Sequence, residues 1–133
     1  MLRPAPGECV DRQTILMLKA KFGTLKKINT KPFTDELNDI QEYLEKNWYF
    51  KLNETEGATN DALIKQLQVV NGELWKIEDE IRLRMSNDQN RDVPREADIA
   101  RIIPTLNDKR AKLVQDINAI FQCATVEKVY VAS

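Results

Sequence analysis

The chain has 133 residues, two cysteines and no histidine, and its 20 basic and 21 acidic residues give a formal net charge of −1. The absence of histidine excludes histidine-assisted nucleophiles and removes the commonest transition-metal ligand, and the charge balance lacks the positive field on which nucleic-acid binding depends. The groups that remain for chemistry are carboxylate, lysine, arginine, tyrosine and cysteine, and a metal site would need oxygen ligands for Mg²⁺ or Mn²⁺.

The length predicts a single domain, residues 1–133, with one hydrophobic core. Cys9 and Cys123 are far apart and form no C-x-x-C pattern, so the sequence indicates neither a disulfide framework nor a thiolate zinc site. The first residues lack the apolar region of a signal peptide, and no later run reaches the 18 apolar residues typical of a membrane helix. We therefore predict a soluble, cytoplasmic protein with no cofactor, no metal, no nucleic-acid partner and no membrane partner.

The first element is predicted after a short N-terminal extension, residues 1–7, which contains two prolines and a glycine. A helix is expected over about residues 8–22, ending at Gly23. Its apolar row includes Ile15, and a step of four residues back along the helix places Asp11 on the same side as Ile15.

The second helix is predicted over residues 34–50, with Thr34 as its N-cap, after a lysine-rich connector at 25–32. A turn-forming stretch, residues 53–60, follows this helix and contains a glycine. Asn60, or the threonine before it, is expected to cap the third helix.

The third helix, residues 60–85, carries the strongest pattern in the chain. Its apolar residues recur at alternating steps of four and three positions: Leu63, Leu67, Val70, Leu74, Ile77 and Ile81. A repeat of 3.5 residues is typical of a long helix packed lengthwise against another helix. Beside this seam runs a second, half-polar row: Ile64, Gln68, Asn71, Trp75, Glu78 and Arg82. Within this second row, Glu78 and Arg82 are spaced as a helical ion pair and are expected to lie only partly in water.

The fourth helix is expected to start after the polar stretch at 86–92, with Asp92 as its N-cap and Pro94 in its first turn. Its row repeats the same spacing: Ile99, Ile103, Leu106, Arg110, Leu113, Ile117 and Ile120. We therefore predict an all-α fold, an antiparallel helical bundle of four main helices with a long central helical hairpin. Residues 124–133 contain β-type side chains and are expected to form an extended C-terminal tail.

Arg110 stands where the pattern of the fourth helix requires an apolar residue. An unpaired guanidinium there would be very costly, so Arg110 must pair with a carboxylate, for which Asp11 and Glu78 are candidates, or reach water. Two interpretations stay open: a structural ion-pair network, and a pocket whose arginines bind a small anionic ligand. No catalytic residue is indicated, and the candidate ligand-binding residues are Asp11, Arg12, Trp75, Glu78, Asp79, Arg82, Asn107 and Arg110.

Three segments of the chain stand out as blocks: PGE followed by DRQTIL (6–8 and 11–16), ELWKIEDEIR (73–82) and NDKRAKL (107–113). Together they resemble the signature blocks of a small helical family of unknown function, seen in bacteria and in marine or phage sequences. The resemblance covers most of the chain outside the second helix. It implies membership of a family and no particular activity.

Two classes of function remain open, and whether the protein is an enzyme is undecided. The first class is a self-associating interaction or scaffold module, a homodimer, because a long hairpin would overhang a compact core. The second is a small all-α enzyme or anion-binding protein, similar to helical chorismate mutases or to helical nucleotide pyrophosphohydrolases. The chain lacks the arginine-rich first helix of the former and the paired acidic motifs of the latter.

Overall fold

The computed structural model describes residues 4–85 and 92–132, of which 125–132 are described by their backbone alone. This part of the chain forms four α-helices, α1 (Pro6–Leu25), α2 (Lys31–Asn47), α3 (Glu54–Met85) and α4 (Val93–Ala132), with a 3₁₀ turn at Tyr49–Lys51. The predicted all-α antiparallel bundle with a long central hairpin is confirmed. Of the polar stretch predicted at 86–92, residues 86–91 lie outside the described residues.

The α3–α4 hairpin is the surface on which the other helices pack. The central residues of the predicted α3 seam, Leu67, Val70, Leu74 and Ile77, are buried together with Leu106, Leu113 and Ile117 of the α4 row. α1 packs against both α3 and α4, and α2 packs against α1. The heptad-like repeats therefore mark the line along which α3 and α4 meet.

α1 begins at Pro6, so the predicted N-terminal extension 1–7 was wrong for its last two residues. Proline suits the first turn of a helix, because the N–H group that it lacks has no intrahelical partner there. Gly7 approaches α4 so closely that a Cβ atom would lie 2.4 Å from the carbonyl oxygen of Val114. The N–H of Gly7 also donates to Asn118 Oδ1 at 2.6 Å, which anchors the start of α1 on α4.

α1 continues past its predicted end at Gly23 and stops at Leu25. The chain reverses at Lys27, which has a left-handed φ of 59°, and the N–H of Ile28 donates to the carbonyl oxygen of Gly23 at 2.8 Å. A Cβ atom on Gly23 would lie 3.0 Å from the Thr30 side chain. The glycine therefore makes room for the returning chain, and the left-handed lysine ends the helix.

α2 spans Lys31–Asn47 and so lies about one turn before the range predicted for it, 34–50. It starts earlier because Pro32, which was expected to precede the helix, is well tolerated in a first turn. The residues after α2 turn towards α4. The rings of Trp48 and Tyr49 both lie 6.0 Å, between centroids, from the ring of Phe121. This aromatic group closes one end of the bundle.

α3 begins at Glu54, well before the predicted start at Asn60. The N–H of Glu56 donates to Asn53 Oδ1 at 2.8 Å, and the N–H of Asn53 donates to Glu56 Oε1 at 2.9 Å. These reciprocal bonds form a capping box, which the turn-forming composition of residues 53–60 concealed. Asn60 is therefore not a cap, and it lies buried inside the helix.

α4 begins as predicted, since the N–H of Arg95 donates to Asp92 Oδ1 at 3.1 Å. The helix continues through Pro104, and its backbone stays helical to Ala132. The predicted extended tail at 124–133 was therefore wrong over the described part of that range. Extension of an existing helix adds one hydrogen bond per residue without a new nucleus, so β-type side chains alone do not end it.

Candidate functional site

Arg110 on α4 forms a two-pronged ion pair with Asp11 on α1. Arg110 Nε donates to Asp11 Oδ1 at 2.9 Å, and Nη2 donates to Oδ2 at 2.6 Å. Of the two predicted outcomes for Arg110, a carboxylate partner or contact with water, the structure shows the first, and Asp11 rather than Glu78 makes the contact. The hydrogen bonds to Asp11 raise the pKa of Arg110 and outweigh partial burial, while the Asp11 and Glu78 charges add smaller effects in the same direction. Arg110 therefore stays cationic.

Asn71 on α3 joins this ion pair to Thr14 on α1. Asn71 Nδ2 donates to Asp11 Oδ1 at 2.9 Å and to Thr14 Oγ1 at 2.5 Å, and the Thr14 hydroxyl donates to the carbonyl oxygen of Asp11 at 2.7 Å. Asn71 and Thr14 are only 4% and 3% exposed. Three helices thus meet at one hydrogen-bonded group, Asp11, Thr14, Asn71 and Arg110, which we call the central polar cluster.

Thr14 and Asn71 were not among the predicted site residues. The sequence nevertheless contained a signal for each of them. Asn71 belongs to the half-polar row beside the α3 seam, and Thr14 follows Asp11 by three residues on α1, a spacing that brings two side chains together.

A pocket of about 270 Å³ opens beside the central polar cluster, between α1, α3 and α4. The polar residues that line it are Lys19, Asn71, Trp75, Glu78, Arg82 and Arg110. Three of these side chains are cationic and one is anionic, and two of the cations, Arg110 and Arg82, are paired with the carboxylates of Asp11 and Asp79. We call it the arginine pocket.

Trp75 forms one wall of the arginine pocket. Its ring stacks on Phe22 of α1, with the centroids 5.4 Å apart and the planes inclined by 10°. The indole Nε1 of Trp75 is buried and has no hydrogen-bond partner within the part of the chain that the structure describes. The residues that line the pocket therefore include a tryptophan whose buried donor has no acceptor among the described residues.

Two predicted site residues lie away from this pocket. Arg12 faces α2, where its Nε donates to Glu36 Oε2 at 2.9 Å on the surface. Asn107 is exposed on α4. Arg12 is adjacent to Asp11 in sequence, so the turn of the helix carries it to another face.

Asp79 and Arg82 form a separate surface pair, with Arg82 Nη2 donating to Asp79 Oδ1 at 2.6 Å. The prediction that Glu78 and Arg82 pair and lie half in water was wrong, because both are exposed and the arginine bonds to the other acid. On a helix surface a carboxylate three residues away is as accessible as one four residues away. The predicted single ion-pair network is therefore two separate pairs, Asp11–Arg110 and Asp79–Arg82.

Among the described residues, no group of three or more acidic or thiol side chains is placed to hold a metal. The described helices also include none that is both long and apolar enough to cross a membrane. No family model, curated protein or solved structure matches this chain, so the interpretation of the site rests on its own geometry.

Proposed function

We propose that this protein is a helical bundle that binds a small anionic ligand in the arginine pocket, through a carboxylate or phosphate group. The observation that carries the proposal is Trp75, which lines the pocket and whose buried indole N–H has no acceptor among the described residues. An unpaired buried donor costs about 1–3 kcal/mol, and an anion that accepts its hydrogen bond would remove that cost.

The charges around the pocket support the same ligand class. Lys19, Arg82 and Arg110 line it against a single carboxylate, Glu78. Asp11 occupies Nε and Nη2 of Arg110, and a guanidinium has further N–H groups that this pairing does not use. Asp11 therefore holds Arg110 in one orientation, which lowers the ordering cost of ligand binding.

Ligand binding can be tested by thermal unfolding and calorimetry with inorganic phosphate, succinate, and nucleotides with Mg²⁺. We expect at least one probe to stabilise the protein by about 2.7 kcal/mol at a hundred times its dissociation constant. Succinate and the nucleotides also test the two enzyme classes suggested by the sequence. Absence of saturable binding by all of these probes would remove both the proposal and the enzyme classes.

Arg82 and Arg101 provide a matched pair of variants. Each is exposed and bonds to an aspartate three residues earlier, but only Arg82 lines the pocket. We expect Arg82→Gln to weaken binding about fivefold, the upper range for an exposed ion pair, and Arg101→Gln to leave it unchanged. Trp75→Phe, which keeps the ring and removes the N–H, should also weaken binding. Equal affinity in all of these variants contradicts the proposal.

A second candidate is the self-associating module, for which the end of the hairpin provides an observation. α3 has 32 residues, about 48 Å of helix, whereas a compact domain of this size has a radius of gyration of about 14 Å. Met85 and Val93, at the end of the hairpin, are 75% and 67% exposed. A second copy could cover them in a homodimer. Light scattering at micromolar concentration should then show a dimer that Met85→Ser weakens, and a strict monomer removes this candidate.

The proposed setting of the protein is the cytoplasm. Cys9 and Cys123 are free thiols, the first buried and the second exposed. An exposed thiol persists in a reducing compartment and is prone to oxidation outside it. Fractionation of cells that express the chain would test the location, and recovery from the medium or from membranes would contradict it.

A further inference from the structure

A second cavity, of about 470 Å³, is lined by Thr14 of the central polar cluster and shares no lining residue with the arginine pocket. It is enclosed by α1, α2, the 3₁₀ turn and the first half of α3. Its walls are largely apolar, with Val10, Leu37 and Ile64 among them. The volume is in the range of ligand pockets in general, about 300–1,000 Å³. We call it the asparagine cavity, after the buried Asn60 that lines it.

Asn60 is the feature of this cavity that packing does not explain. Its side chain is only 3% exposed, and its Oδ1 is buried without a hydrogen-bond partner among the described residues. Asparagine is also a weak helix former, and Asn60 lies in the interior of α3 rather than at its cap. A leucine of similar size would avoid both costs. A ligand that donates a hydrogen bond to Asn60 Oδ1 would satisfy the unpaired oxygen and so account for an asparagine at this position.

The charges around the asparagine cavity are opposite to those of the arginine pocket. No lysine or arginine is among its lining residues, and Asp61 lines it beside Asn60. The cavity also includes Tyr49, whose pKa is raised to about 12 by burial first and then by the charges of Asp61, Cys9 and Glu45. Burial disfavours a charge of either sign, but the carboxylate of Asp61, the one charged residue among those that line the cavity, favours a cation over an anion.

We propose that the asparagine cavity binds a small organic cation, an ammonium or guanidinium group on a short apolar chain. The nitrogen donates a hydrogen bond to Asn60 Oδ1 and pairs with the Asp61 carboxylate, while the chain packs on the apolar wall. This assignment is independent of the arginine pocket, because no residue lines both cavities. The asparagine cavity reaches the central polar cluster at Thr14, whereas the arginine pocket reaches it at Asn71 and Arg110.

The proposal is tested with agmatine and butylamine as probes, and with butanol and butyrate as the neutral and anionic controls. Calorimetry and amide chemical shifts should show saturable binding of the two cations, with shifts at residues 60–64, weaker binding of butanol and none of butyrate. Binding of the cations should weaken as salt is raised, since an ion pair contributes to it. Equal binding of butanol and butylamine, or no saturable binding of either cation, overturns the proposal.

Substitutions then assign the two polar groups. Asp61 is exposed and should tolerate substitution, and Asp61→Asn is expected to weaken agmatine binding about fivefold. Asp108→Asn makes the same charge change at an exposed position on α4 and should leave agmatine binding unchanged. Asn60→Leu is expected to abolish binding and to raise the melting temperature, because it removes an unpaired buried oxygen. An Asp61→Asn protein with unchanged agmatine affinity overturns the proposal even if Asn60→Leu fails to fold. Arg82→Gln should not change agmatine binding, which separates this outcome from that of the arginine pocket.

Discussion

The two ends of the α3–α4 hairpin are held together in different ways. At the basal end, formed by residues 54–70 and 113–124, the contacts are mainly apolar, with the hydrogen bond between Gly7 and Asn118 beside them. Ile117 and Phe121 are completely buried there, and the rings of Trp48 and Tyr49 pack on Phe121. The basal end is therefore covered by α1, by the segment after α2 and by the partner helix of the hairpin.

The distal end, formed by residues 78–85 and 92–103, relies more on charge. Arg95 donates to both carboxylate oxygens of Glu80, at 2.8 and 3.1 Å, and this bond lowers the pKa of Glu80. Met85 and Val93 are exposed at its tip. Burial contributes about 25 cal/mol per Å² of apolar surface, whereas an exposed ion pair contributes about 0–1 kcal/mol. The hairpin should therefore be most stable at its basal end and should open first at its distal end.

The largest expected effect is that of Phe121→Ala at the basal end. Removal of a buried phenylalanine side chain should lower the free energy of unfolding by about 3–5 kcal/mol, through lost burial and the cavity that remains. Val93→Ala at the distal end should change it by less than about 0.5 kcal/mol. Urea unfolding of both variants measures the difference, and equal losses would refute the comparison of the two ends.

Arg110→Ala tests the central polar cluster between the two ends. The change leaves the Asp11 carboxylate, which is 17% exposed, without its cationic partner. A fully buried broken pair costs about 3–5 kcal/mol, and the partial exposure of this pair reduces the expected loss to about 2 kcal/mol. A double-mutant cycle with Asp11→Ala isolates the coupling between the two side chains. A coupling indistinguishable from zero would show that the pair contributes nothing to stability.

Replacement of either of two glycines by alanine should change the stability of the protein, in opposite directions. At Gly7 a new Cβ would lie 2.4 Å from a backbone oxygen of α4, so Gly7→Ala should destabilise the protein by about 1–3 kcal/mol. At Gly72, in the middle of α3, nothing lies within 4 Å of the new Cβ. Gly72→Ala should therefore stabilise the protein by about 0.5–1 kcal/mol through helix propensity. Melting curves of the two variants check the signs, and a stabilising Gly7→Ala would disprove the close approach.

The last effect is absent at neutral pH, is confined to alkaline pH and concerns Tyr49 at the basal end. Its pKa is raised from 10.0 to about 12, mainly by burial. Between pH 10 and 12 the phenol ionises in the unfolded chain but stays protonated in the folded protein. The free energy of unfolding should therefore fall as the pH rises through this interval. The Tyr49→Phe protein should lose less stability over this interval. Phenolate absorbance and unfolding midpoints across the interval measure both, and identical profiles for the two proteins would contradict the shift.

The hairpin could be predicted from sequence because its signal is periodic. The seam of α3 and the row of α4 follow one repeat over many turns, and the centre of each is buried as expected. The row of α4 departs from the prediction at its end, where Phe121 rather than Ile120 is completely buried. A straight helix has 3.6 residues per turn, so a strict 3.5 repeat drifts off the contact line after several turns.

The candidate site was only partly predictable. Arg110 was recognisable because a charge interrupted an apolar row, and Asp11 was one of two partners that the helix faces allowed. Asn71 carries only a weaker signal, its place in the half-polar row, and Asn60 carries none, since a polar residue beside a seam or near a turn is usually at the surface. Their burial depends on how α1 crosses α3, which the sequence pattern of either helix alone does not contain.

The amide of Asn71 has a consequence for how the chain assembles. Its two hydrogens have fixed acceptors on α1, a carboxylate oxygen of Asp11 and the hydroxyl oxygen of Thr14. If α1 slid by one turn along its neighbours, both acceptors would leave together and the guanidinium of Arg110 would lose its counter-ion in the same movement. Half-docked arrangements of α1 are thereby penalised, so this helix should join or leave the rest of the molecule in a single all-or-none event.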